Sequence, residues 1–260
     1  DPIIVHADVR RLLLESRAFA EGARAGAMRA AVWQSVAEHA PDPAERERAG
    51  DLLEVLTPVM KAFFTDRGFE ATVACQQVLG GHGYVKDYGL EQFVRNARIG
   101  QIYEGANGIQ AVDLMHRKLN ANGARPRRHF VFAIRSFLES NSQTTQLNEI
   151  LPPLSQALNR LEKTFEWMDQ PQISNPSQRD AGAYDLLTAL GIVYLAWIWA
   201  EIAVVVTAPT SCTHASETQR LRKFQLAKLW MQRQLPLVDA FCARIESGNE
   251  SLLALADEMV

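Results

Sequence analysis

The residues best suited to chemistry lie in one stretch, Ala74 to Leu119. Near its end, Tyr103-Glu104-Gly105-Ala106-Asn107-Gly108-Ile109-Gln110 places a carboxylate just before the start of a helix. Held in a dry setting, a carboxylate can serve as a general base, because burial raises its pKa toward working pH. It can equally do no more than complement the positive end of the helix, where acidic residues are favoured. On residue types alone the second role is the commoner. Upstream, Gln77-Val78-Leu79-Gly80-Gly81-His82-Gly83 closes a helix with glycines. Gly80 and Gly81 accept backbone angles that other residues resist, so they read as a helix stop and a tight turn. The triplet follows a helix rather than a strand, which excludes the Rossmann fingerprint. Six histidines show no ligand spacing such as His-Glu-x-x-His, and no metal site is assigned. His82 reads as a turn residue, and the pair Arg127-Arg128 as solvated.

The elements that position these residues are helical. Asp8 is placed to cap a first helix, in which Leu12, Leu13, Phe19, Ala20, Ala23, Val32, Trp33 and Val36 keep a helical period. Asp42-Pro43-Ala44-Glu45 starts a second, with an N-cap, a proline in the first turn and a capping-box glutamate. Thr57-Pro58 predicts a cap and restart, so this helix is expected to be short. Val59, Phe63, Val73 and Leu79 carry one face down to the glycines. Leu90 to Arg98 forms a short helix, and Ala106 to Leu119 another with Ile109, Val112 and Leu119 on its buried side. Arg95 and Arg98 read as a surface pair and Tyr103 as a core aromatic. Asn120 to Pro126 has linker composition. Beyond it, Phe130, Ile134, Phe137 and Leu138 form one stripe, and Leu147, Leu151, Leu154, Leu158, Leu161, Phe165 and Met168 a second. Pro152-Pro153 marks a restart, Asn175-Pro176 opens the next helix, and Ser216 or Glu217 opens a last long one that runs to Gly248. No segment alternates as a strand does. The expectation is an all-α protein of two helical bundles, at 1–123 and 129–260, joined by a linker at 124–128.

Apolar residues make up 47% of the 260 and charged residues 22%, as in an ordinary globular protein. A net charge of −3 offers no electrostatic case for nucleic acid or an anionic membrane. Cys75, Cys212 and Cys242 are sparse and odd in number, which fits a reducing, cytoplasmic compartment rather than a disulfide framework. Leu186 to Ala208 is apolar enough to cross a bilayer. Glu201 lies within it, however, and Tyr194, Trp197 and Trp199 sit mid-span rather than at its edges. It is therefore expected to be the central member of a bundle, with a membrane-anchored subunit as the weaker alternative. The chain does not open on methionine and reads as a piece of a longer protein.

The two motifs, in this order and at this separation, resemble the C-terminal helical domain of the flavin-dependent acyl-CoA dehydrogenases. That family's wording is a Gln, two residues, Gly-Gly-x-Gly-aromatic, then Arg-Asp-x-(Arg/Lys)-Ile-x-x-Ile-Tyr-Glu-Gly-Thr-x-x-Ile-Gln. The match runs from about Val9 to Leu119. The remainder is similar to the extra helical module of the branch that includes the 3-methylmercaptopropionyl-CoA dehydrogenases. The resemblance implies α,β-dehydrogenation of an acyl-CoA with FAD as hydride acceptor, since no side chain can take a hydride. It makes Glu104 the base for the α-proton, with its backbone N–H helping to hold the thioester carbonyl, and Gly105 the residue that lets the backbone approach the substrate. It assigns flavin contact to Gln77 and Gly81, with Gly80 allowing close approach, on a flavin bound chiefly by a neighbouring subunit. A homo-oligomer, a dimer or higher, with a shared flavin site follows, as does an electron-transfer flavoprotein as electron acceptor.

The family also carries an N-terminal helical domain and a central β-domain, so this stretch is expected to be inactive alone. Three positions depart from its wording: Ala106 for Thr, Gly108 for a polar residue, and Asn96 for the Asp after Arg95. The first two remove a side-chain contact to the cofactor and leave backbone N–H groups at a helix start, which can bind a phosphate. The third could unpair a local ion pair. The departures motivate a rival reading, a non-catalytic helical scaffold or oligomerisation subunit that has lost the flavin.

Overall fold

The computed structural model describes residues 1–173, 175–208 and 215–255. Two long helices, α1 (Ala7–His39) and α2 (Pro43–Val78), form a hairpin across a three-residue turn. Asp42 caps α2 by accepting from the Ala44 N–H, and Pro43 sits in the first turn, where a missing N–H costs nothing. Asp8 does not cap α1. The N-cap is His6, without a side-chain bond, and Asp8 pairs with Arg11 one turn on.

The predicted break at Thr57-Pro58 is absent: α2 runs through the proline for 36 residues. Thr57 Oγ1 donates to the Leu53 carbonyl, and Val55, Leu56, Pro58, Val59, Ala62 and Phe63 are all buried around that turn. Tertiary burial here outweighs the roughly 3 kcal/mol that an interior proline costs. From Thr65 onward no residue of α2 is buried, so Val73 and Leu79 are exposed rather than part of the core.

Short helices follow: α3 (Gly81–Tyr84), α4 (Leu90–Arg98) and α5 (Asn107–Asp113), the last continuing as a π-turn through Lys118. The buried side of α5 and this extension is Asn107, Ala111, Leu114, Met115 and Leu119. Ile109 and Val112 lie on the outer side, against expectation. Asn107 sets the phase, because its amide is anchored on α2 and residues 4, 7 and 8 further on share its face.

The linker composition at 120–126 becomes a sharp corner. Asn122, Gly123 and Ala124 all take left-handed backbone angles within α6 (Ala121–Asn141), and Pro126 is buried. Arg125 binds Asp51 and Glu47 of α2. Arg127 is not solvated, since it pairs with Asp169 and lies 5.0 Å over the Phe165 ring. Then come α7 (Leu151–Met168), with its apolar stripe buried as predicted, and α8 (Pro176–Thr207), capped by Asn175. Ser216 and Gln219 form a full capping box on α9 (Glu217–Arg233). The expected long last helix is divided at Gln234-Leu235-Pro236, and α10 (Leu237–Glu246) precedes a final turn, α11 (Glu250–Leu253).

Residues 186–200 of α8 carry no charge, and all fifteen are buried; the Thr188 hydroxyl donates back to the Tyr184 carbonyl. The helix is the centre of the bundle: α1, α2, α5, α7, α9 and α10 pack around it. It satisfies the length and hydropathy of a membrane span, but 72% of its most apolar window is buried inside the protein. On α1 the contact line is a stripe of small residues, Ala18, Gly22, Gly26 and Ala30, closed by Trp33, whose ring lies 5.4 Å from that of Trp197, while Val32 is exposed. The Trp199 indole donates to the Ala18 carbonyl and the Tyr194 hydroxyl to that of Gly26. Through α8 the two bundles share one hydrophobic core. Among the described residues there is no strand. Cys75 and Cys242 are free thiols, and Cys212 lies outside the described residues.

Candidate functional site

Glu104 stands in a turn between α4 and α5, at a positive φ of 55°. Gly105 follows at φ 83°, so two successive residues leave the usual backbone regions. For a glutamate this costs about 1 kcal/mol and persists only where neighbours hold it. They do. Lys61 Nζ donates to the Gly105 carbonyl at 2.7 Å and to Asn107 Oδ1 at 2.8 Å. Gln110 Nε2 donates to the Glu104 carbonyl at 3.1 Å. Gln101, on the other flank, donates to Asp66 Oδ1 at 2.7 Å. Asn107 is buried, and its amide donates to the same Asp66 oxygen at 2.8 Å, with the Ala62 carbonyl and Thr65 Oγ1 also in reach. The turn is therefore tied to α2 on both sides through one carboxylate.

The second Asp66 oxygen, Oδ2, accepts from the hydroxyl of Tyr184, which comes from α8. Burial, and then this hydrogen bond, push the Tyr184 pKa well above the ordinary phenol range, so its proton stays on throughout neutral pH. Sequence reading found none of Lys61, Asp66 or Tyr184. The only trace is that Lys61, Thr65 and Asp66 are polar residues on either side of Phe63, where the apolar face of α2 ends; nothing near Tyr184 sets it apart.

The Glu104 side chain itself is exposed. A dry carboxylate was expected, and in this chain no element covers it. The surface around it is apolar: Ile99, Ile102, Tyr103 and Ile109 are each half exposed or more. Tyr103 is thus no core aromatic; its ring lies 6.0 Å from Lys61 Nζ. Arg95 and Arg98 are on the helix surface. Asn96 leaves Arg95 paired, because Glu91 takes its guanidinium at 2.9 Å.

Gln77, Gly80 and Gly81 form the other half of the motif, at the far end of α2, and all three are exposed. Gly80 has φ 54° and ψ −138°, which only glycine adopts easily. A Cβ added at Gly80 or Gly81 would meet nothing within 4 Å. The turn is thus an open ledge at its two glycines, with Gln77 exposed three residues before Gly80, and the bare backbone leaves room for one face of a flat group. The ledge is propped from behind: Gly83 packs so tightly on the Gln76 carbonyl that a Cβ would come within 2.2 Å of it. Twelve helical residues separate Asp66 from Val78, roughly 18 Å along the axis. The structure thus does not bring Gln77, Gly80 and Gly81 together with Glu104. Ala106 is the N-cap of α5 and makes no side-chain cap bond, and Gly108 lies exposed in the first turn. His82 meets the Tyr88 ring edge to face beside the ledge, with centroids 5.4 Å apart.

Residues 1–119 match the family model described as acyl-CoA dehydrogenase, C-terminal domain, and residues 130–256 the one described as acetyl-CoA dehydrogenase C-terminal like. Over 255 residues the chain is 33% identical to 3-methylmercaptopropionyl-CoA dehydrogenase of Ruegeria pomeroyi, spanning 97% of this chain and 43% of that protein. It is 26% identical over 262 residues to the broad-specificity linear acyl-CoA dehydrogenase FadE5 of Mycobacterium tuberculosis, at 96% and 42%. The crystal structure of Caenorhabditis elegans ACDH-11 in complex with C11-CoA shares the fold, with a TM-score of 0.70 at 17% identity over 89% of this chain and 37% of that one. The chain thus spans less than half the length of these relatives.

Proposed function

Since this chain belongs to the acyl-CoA dehydrogenase family, we propose that it carries the catalytic base of an FAD-dependent α,β-dehydrogenation of an acyl-CoA thioester, and that the base is Glu104. The observation that carries this reading is the turn at 101–107: strained at Glu104, tied on both flanks to α2, and facing outward within an apolar rim. A carboxylate kept only to charge a helix start needs no such restraint.

In this mechanism the Glu104 carboxylate accepts the proton from the carbon α to the thioester. Gly105, at its positive φ, keeps the backbone of the turn free of a side chain where the thioester approaches. The Glu104 N–H is the donor offered to the thioester carbonyl, whose oxygen gains charge as the proton leaves. Docking of further protein on the apolar rim would exclude water from the carboxylate and the substrate. FAD, when bound, supplies the hydride acceptor for the β-carbon. Gln77, Gly80 and Gly81 would hold it, their ledge lying against a flavin whose main contacts belong to a neighbouring subunit. The separation of ledge and base within one chain supports that division, and with it a homo-oligomer with shared sites. Electrons would pass to an electron-transfer flavoprotein, in a cytoplasmic setting.

The test is Glu104→Gln in the full-length protein, followed by anaerobic titration with acyl-CoA. Bleaching of the flavin should be abolished while FAD stays bound; unchanged bleaching refutes the assigned base. The exposed carboxylate and the missing hydroxyl at Ala106 favour a second reading, a helical scaffold that no longer binds flavin. A full-length protein that stays colourless after FAD is added would establish it.

A further inference from the structure

Tyr184 brings the C-terminal half of the chain to the residues that hold the base-bearing turn. Tyr184, on the third turn of α8, donates its hydroxyl to Asp66 Oδ2, while Asp66 Oδ1 holds Gln101 at 2.7 Å and Asn107 at 2.8 Å. Those two residues bracket Glu104 at three positions on either side. A carboxylate with one oxygen free can rotate and exchange which oxygen accepts. With Oδ2 held by a phenol from a different helix, Oδ1 is fixed for the two amides. Four residues earlier on α8, Asp180 meets His116 at 2.5 Å beyond α5, a second and separate contact between the halves.

We propose that Tyr184 is a positioning residue: the C-terminal helical half, through this hydroxyl and Asp66, sets the geometry of the turn that presents Glu104 to the substrate. This rests on Glu104 being the base. The hydroxyl never meets the substrate; it acts through the orientation of Asp66. The α-proton must be approached within a few tenths of an ångström, and a misplacement of about 1 Å can cost on the order of a hundredfold in rate. A loosened turn that still samples the right position costs less, about tenfold.

The experiment uses the full-length flavoprotein with Tyr184→Phe, which keeps the ring and its packing. At saturating acyl-CoA, the rate of flavin reduction should fall about tenfold. The kinetic isotope effect with α-deuterated substrate should rise, because proton removal becomes more fully rate-limiting. KM, FAD content and melting temperature should stay as they were. Hydrogen exchange of the segment 99–110 should quicken. Asp66→Asn should slow the reaction in the same way, and the double variant should be no slower than the slower single one. His116→Ala, which breaks a different contact between the halves, away from the turn, should leave rate and isotope effect unchanged.

Tyr184→Phe with an unaltered rate and isotope effect overturns the inference, as does His116→Ala slowing the reaction equally, which would make the effect one of general docking. Glu104→Gln assayed alongside separates the two levels. If it still bleaches, the base assignment fails; if it is dead while Tyr184→Phe is normal, only the role of Tyr184 fails.

Discussion

Two glycines of this chain should respond in opposite ways to the same substitution. Gly50 lies in the interior of α2, and a Cβ added there meets nothing within 4 Å. Gly191 lies in α8, and a Cβ added there would sit 2.3 Å from Phe63 Cγ and 2.5 Å from Cδ1. Helix propensity favours alanine over glycine by about 0.8–1.0 kcal/mol at either site. At Gly50 that gain stands alone, so Gly50→Ala should stabilise by up to about 1 kcal/mol. At Gly191 it is opposed by overlap with a ring only 1% exposed, which has no solvent to move into. Overpacking of this kind costs typically 1–3 kcal/mol, and contact at 2.3 Å, more than an ångström inside van der Waals distance, belongs at the upper end. The net for Gly191→Ala is a loss of about 1–2 kcal/mol. Urea unfolding followed by circular dichroism measures both, with the slope checked for constancy. Phe63→Leu should relieve the clash, so Gly191→Ala should cost less in that background, a coupling a double-mutant cycle reads directly. A Gly191→Ala protein as stable as the parent would refute the reasoning, because the α2–α8 contact would then have slack that the close packing of its core denies.

Ala106→Thr restores a hydroxyl at the uncapped N-cap of α5 and should raise stability by about 0.5–1 kcal/mol in the same assay; no change would mean that water already serves that helix end. Arg160 holds the Glu246 carboxyl below its ordinary pKa, aided by Thr164. A carboxyl lowered in the fold stabilises above its unfolded value of about 4.3 and loses that contribution as pH falls through the folded value. Urea midpoints should therefore drop as pH falls below about 4.3, and Glu246→Gln should be weaker at pH 7 yet show a shallower drop. Parallel acid limbs in the two proteins would sink this assignment.

Local signals were legible wherever a few neighbouring residues settle the matter. Asp42-Pro43, Asn175-Pro176 and Ser216 announced helix starts because a cap is satisfied within three residues. Gly80-Gly81 announced a stop, and the angles that no other residue takes easily are those of Gly80, since Gly81 already opens α3. The apolar stripe of α7 was read without error, since a single dominant face leaves the period unambiguous. The wording around Gln77 and Glu104 was legible as family text, whatever their environment. What the sequence left open required knowing what lies opposite. Pro58 was read as a break because the burial that carries α2 through it comes from other helices, α1, α5, α6 and α8, that pack on α2 only in the folded chain. Ile109 and Val112 were placed inside because their faces look apolar, whereas the buried anchor is a polar residue, Asn107, whose partners are on α2. Tyr184 could not be picked out at all. Its importance rests on a hydroxyl meeting the carboxylate of Asp66 across 118 positions, and such a pairing exists only once the helices are packed. Periodicity and caps are properties of one helix. The pinning of Glu104 belongs to three, and only the folded arrangement creates it.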